Sequence, residues 1–72
     1  MQMVAHDAYV EYDWNLRYWR FRRGSGWSDL YGIGSWDTFK EARHFMGVYW
    51  FALRKVGNRK WQLFSDYEGK LR

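Results

Sequence analysis

The sequence predicts a small α+β domain: an antiparallel sheet of about four to five strands, with one short helix inserted before a C-terminal hairpin. Three observations predict it. Apolar and polar residues alternate from Val10 onward, a helix-spaced apolar set follows a capping signal near Thr38, and two strand-like runs flank Gly57-Asn58.

In chain order, Val10, Tyr12, Trp14 and Leu16 alternate with Glu11, Asp13, Asn15 and Arg17, the period of a strand with two unlike faces. Asp13-Trp14-Asn15 is also a turn signal, so residues 9–22 read equally as one strand or two. Gly24-Ser25-Gly26 is a loop, and Trp27 to Ile33 reads as a further strand loosened by Gly32 and Gly34. Thr38 with Glu41 three residues on matches a capping box, with Asp37 and Ser35 as competing caps. Phe39, Ala42 and Met46 then share a helix face, and Gly47 supplies a stop after about ten residues. Beyond it, VYWFALRK and RKWQLF form a hairpin about Gly57-Asn58. That turn sets Arg54 opposite Trp61, Ala52 opposite Leu63, Phe51 opposite Phe64 and Lys55 against Lys60. Trp50 and Trp61 then face one way, and Tyr49, Phe51 and Phe64 the other. Residues 1–7 and 65–72 are expected to fray, and the whole chain, residues 1–72, to form a single domain.

One short helix covers only one face of such a sheet. The second face is closed by curling, by the N-terminal segment or by another subunit, as in a homodimer, or it binds a partner. A chain this short, without cysteine, holds no disulfide or thiolate staple, so most of its six tryptophans, six tyrosines and five phenylalanines are needed for the fold. No signal peptide and no apolar run long enough for a membrane helix is visible. The expectation is a soluble, cytoplasmic protein that does not engage a membrane.

The net charge of +4 is unevenly spread. Residues 1–15 carry Asp7, Glu11 and Asp13 with no lysine or arginine. Residues 16–26 carry Arg17, Arg20, Arg22 and Arg23, and residues 47–64 carry Arg54, Lys55, Arg59 and Lys60, with no carboxylate in either stretch. The segment LRYWRFRR interleaves the first cluster with Tyr18, Trp19 and Phe21. Guanidinium forks bind phosphates, and exposed rings stack on unpaired bases at about 1–3 kcal/mol each. The candidate binding residues are therefore Arg17, Trp19, Arg20, Arg22, Arg23, Arg54, Lys55, Arg59, Lys60 and Trp61. The plainer reading is that these arginines face solvent and cover neighbouring rings.

The stretch GSWDTFKEA, Gly34 to Ala42, resembles the strand-to-helix junction of plant-type AP2 DNA-binding domains and of the related arm-binding domains of phage integrases. That resemblance implies a three-stranded sheet followed by a helix, with the sheet reading a DNA groove. The chain departs from that pattern by adding a hairpin after the helix.

Catalysis and metal binding have little support. His6, Asp7, Glu11 and Asp13 lie near one another in sequence, but adjacent strand residues point to opposite faces. His44 falls on the polar side of the helix. Ser25, Ser28 and Ser35 lack histidine and carboxylate partners, and the glycines lack the ending of a phosphate loop. The expectation is a non-catalytic protein without metal or cofactor, binding an anionic partner, nucleic acid first. The alternative is a small phage-type inhibitor or regulator that docks on an acidic or nucleic-acid-binding surface of a host protein, such as RNA polymerase or a CRISPR effector. The acidic N-terminal stretch favours a protein partner, and the density of arginine beside rings favours nucleic acid.

Overall fold

A computed structural model describes residues 2–67. Along the chain run β1 (Val4–Asp13), β2 (Tyr18–Arg23), β3 (Gly26–Ser28), β4 (Ser35–Trp36), α1 (Phe39–Val48), β5 (Ala52–Gly57) and β6 (Lys60–Ser65). All pairings are antiparallel, in the order β3-β2-β1-β6-β5, with β4 also on the β2 edge. The expected small antiparallel sheet with one short helix before a hairpin is present, but it has six strands rather than four or five. Instead of a frayed start, Val4 to Asp7 belong to β1, and Ser65 closes β6. Residue 1 and residues 68–72 lie outside the described residues.

Asp13 decides the first ambiguity in favour of a turn. Its Oδ1 accepts from the backbone N–H of Asn15 (2.9 Å) and of Leu16 (3.0 Å), a side-chain mimic of a backbone turn. Arg17 completes the reversal in a left-handed conformation (φ 61°), its N–H donating to the Asp13 carbonyl at 2.7 Å.

The single strand expected over Trp27 to Ile33 is instead broken. Tyr31 (φ 54°) and Gly32 (φ 80°) form a two-residue reversal, across which Leu30 and Ile33 exchange both backbone hydrogen bonds. The chain then returns to the β2 edge, where the Gly34 carbonyl accepts from Phe21 N–H at 3.0 Å. A side chain at Gly34 would lie 2.5 Å from the Ser28 carbonyl oxygen, so only glycine fits. β3 and β4 thus share one edge of β2, which accounts for the larger strand count. β1, β2 and β4 together make a three-stranded meander leading into α1.

Thr38 caps α1 as expected, its Oγ1 accepting from Glu41 N–H at 3.2 Å. Gly47, however, is inside the helix. The chain leaves at Trp50, left-handed at φ 68°, with Trp50 N–H on the Gly47 carbonyl (3.0 Å) and Phe51 N–H on the Met46 carbonyl (2.9 Å). This paired closure usually places glycine where Trp50 stands.

The hairpin register is one residue off the expected one. Ala52 faces Phe64, Leu53 faces Leu63, Arg54 faces Gln62, Lys55 faces Trp61 and Gly57 faces Lys60. The chain reverses at Asn58-Arg59, with Arg59 left-handed (φ 51°), rather than at Gly57-Asn58, and one extra residue in β5 shifts the register between Lys55 and Gly57. The expected Lys55–Lys60 opposition is thereby avoided, and Trp50 belongs to the helix exit rather than to a strand whose face it shares with Trp61.

Ala8, Val10, Phe21, Leu30, Trp36, Ala42, Met46 and Leu63 form the buried core under α1. Phe39 rests on Trp19 and Trp61, with ring centroids 5.0 and 4.6 Å apart, and Phe45 rests on Trp36 at 5.3 Å. Among the described residues no helix lies on the opposite face of the sheet.

Candidate nucleic-acid interface

Register separates the ten candidate residues into three groups. Val10 faces both Phe21 and Trp61, so these residues define the helix-covered side. Trp19 and Trp61 lie there, half-buried and packed against Phe39. Their rings pack under α1, and only their half-open surface is left for a partner. Arg23, opposite Ala8, and Lys55, opposite Trp61, are on the same side near opposite edges. The Arg23 guanidinium carbon is 5.9 Å from the Phe21 ring.

Arg20, Arg22, Arg54 and Lys60 share the uncovered face, but their surroundings differ. Between the β2 and β6 cations runs β1, whose Glu11 and Asp13 point to this face. Arg20 Nη1 donates to Asp13 Oδ2 at 3.0 Å. Arg22 Nε pairs with Glu11 Oε2 at 2.5 Å, without the alignment of a hydrogen bond. Both guanidinium groups also lie over Trp27, at 4.3 and 4.5 Å. The Asp13 carboxyl is held below the usual carboxylate range, first by the Leu16 N–H and next by Arg20. These two arginines are thus largely neutralised by the acidic stretch. Arg54 lies over Phe64 at 4.7 Å, and Lys60 over Tyr9 at 4.7 Å, each held by a ring and, among the described residues, without an ion pair to a carboxylate. A ring fixes a cation in place without cancelling its charge.

The third group, Arg17 and Arg59, sits at the end of the sheet where the β1–β2 and β5–β6 turns lie side by side. Tyr12 N–H donates to the Arg59 carbonyl at 3.1 Å, tying the turns together. The Arg59 guanidinium lies 4.8 Å from the Tyr12 ring and 4.5 Å from that of Trp14. Trp14 is packed edge-on against Tyr12 yet remains 61% exposed. Arg17 is exposed, with no ion pair or ring partner among the described residues.

Sequence reasoning missed Trp14 and Trp27 as site residues. Trp27 was recoverable: a two-residue turn at Gly24-Ser25 pairs Arg22 with Trp27. Trp14 needed the turn at Asp13 to be chosen.

Two other polar groups have local explanations. His6 is buried, its Nε2 2.6 Å from Ser65 Oγ, and burial pushes its pKa below the usual histidine value. Among the described residues no group of three or more histidines and carboxylates is placed to hold a metal ion. No helix among them is long and apolar enough to cross a membrane. Comparison with protein families, with characterised proteins and with solved structures finds no match to this chain, so the site rests on its geometry.

Proposed function

We propose that the protein is a non-catalytic nucleic-acid-binding module whose contact surface is the two-turn end of the sheet, continuing onto the uncovered face. Arg17, Arg59 and Lys60 meet phosphates, and the open part of the Trp14 ring stacks on a base. The observation that carries this reading is the pairing of Arg17 and Arg59 at one end, both exposed and both left-handed. Glycine fits such positions without steric cost. Keeping two large cations there, beside a tryptophan that is mostly open, supports a surface adapted to a polyanion. Cation–π contact leaves the Arg59 donors available, whereas Arg20 and Arg22 are already paired and act as scaffolding.

The test is a titration of tryptophan fluorescence and anisotropy with short single- and double-stranded DNA and RNA at low and near-physiological salt. Three engaged cations predict a slope of log affinity against log salt near −2 on a single strand, with quenching by base stacking. Binding that vanishes at physiological salt would mark the nonspecific pull of a cationic protein. It would turn the reading to an acidic protein surface.

A further inference from the structure

From Ala42 to Ser65 the chain holds no aspartate or glutamate, yet it carries Arg43, Arg54, Lys55, Arg59 and Lys60. This stretch supplies most of α1 and all of β5 and β6. β5 is the terminal strand of the sheet, paired with β6 on one side and with no strand on the other among the described residues. At six residues it is the longer of the two edges, since β3 and β4 on the far side span three and two. An unpaired edge presents a row of backbone donors and acceptors to any extended chain.

Charge brackets this edge on both faces. Arg54 is on the uncovered side over Phe64, and Lys55 is on the helix side beside the stacked Trp61 and Phe39. Arg43, one helical turn from Phe39, joins Lys40, His44, Gly47 and Val48 along a shallow open groove on α1. Trp50, 86% exposed, precedes β5 by two residues. A second copy is a poor occupant: antiparallel self-pairing centred on β5 would set Arg54 against Arg54 or Lys55 against Lys55 of the copy, cation on cation.

We propose that the free edge of β5 takes an extended, acidic segment of another protein as an added strand. Backbone hydrogen bonds supply the pairing. Because Arg54 and Lys55 point to opposite faces, the segment needs two adjacent acidic residues, one for each. An apolar residue roughly four positions along then reaches the level of Trp50. This site goes beyond the nucleic-acid reading and uses neither Arg17 nor Arg59.

The probe is a labelled peptide of alternating threonine and valine, with a central Glu-Glu pair and a phenylalanine four residues away, followed by anisotropy at near-physiological salt. Two further peptides carry backbone N-methyl groups on alternate residues, in complementary phases. Strand addition predicts that one phase binds like the parent and the other about tenfold or more weaker, because only one edge of the peptide faces β5. Lys55→Glu weakens the parent peptide by a similar factor, and reversing only the glutamate that faces position 55, so that one of the two single Glu→Lys peptides is favoured, recovers binding to that variant. The proposal is overturned if the parent peptide does not bind, or if both methylated phases bind alike. It is equally overturned if an oligonucleotide displaces the peptide from native protein but not from Arg17→Gln/Arg59→Gln protein, since competition would then arise at the two-turn end.

Discussion

Arg17, Tyr31, Trp50 and Arg59 are left-handed, and all four are exposed. For an L-residue that conformation costs roughly 1–2 kcal/mol against a right-handed one, and at Trp50, 86% exposed, packing returns little. Trp50→Gly should therefore raise stability. The relief of about 1–2 kcal/mol, less about 0.5–1 for the extra freedom of glycine in the unfolded chain, leaves a gain of about 0–1.5 kcal/mol in urea denaturation. These residues also explain what the sequence concealed. Turns are read from glycine and asparagine, and here two arginines, a tyrosine and a tryptophan fill slots those residues normally mark. Hence the break at Tyr31, the helix exit at Trp50 and the slipped hairpin register were all illegible. Two titrating residues make a further prediction. His6 is kept neutral by burial, so its unfolded form gains a proton first; stability present above about pH 6.5 declines as pH falls toward its lower folded value. Asp13 is held ionised by Leu16 N–H and Arg20, so its contribution is present above about pH 4 and is lost as pH falls through its depressed folded value. Denaturation across pH 3–7 checks both: His6→Gln should flatten the upper limb of the profile and Asp13→Asn the lower.

Elements differ in how local their instructions are. The start of α1 was readable because Thr38 and Glu41 act within one turn, and the hydrogen bond between them is present. The β1–β6 neighbourhood was not readable, because that pairing joins residues 49 to 61 positions apart, and no local pattern states it. The excursion between β3 and β4 depends on a close backbone approach, Gly34 against Ser28. Gly34→Ala should cost about 1–3 kcal/mol by forcing that backbone apart, whereas Gly26→Ala, with open space around it, should be far milder. Comparing the two variants by thermal denaturation separates close approach from a general intolerance of side chains in this region.

Across the whole molecule, the sheet order decides which cations remain effective. In sequence the two basic clusters look alike, each of four residues. In the fold, β1 lies between them and turns Asp13 and Glu11 toward β2, so Arg20 and Arg22 are paired while Arg54, Arg59 and Lys60 rest on rings. The candidate residues were therefore legible as residue types, but their division into scaffold and surface was not. The most direct measurement compares single-stranded oligonucleotide binding by Arg17→Gln/Arg59→Gln with that by Lys40→Gln/Arg43→Gln, two variants of equal net charge. The account predicts that the first pair loses about tenfold in affinity and lowers the salt slope by roughly 1.4, while the second stays within about threefold of the native protein. Equal losses in the two variants, or a larger one from the helix pair, would contradict it.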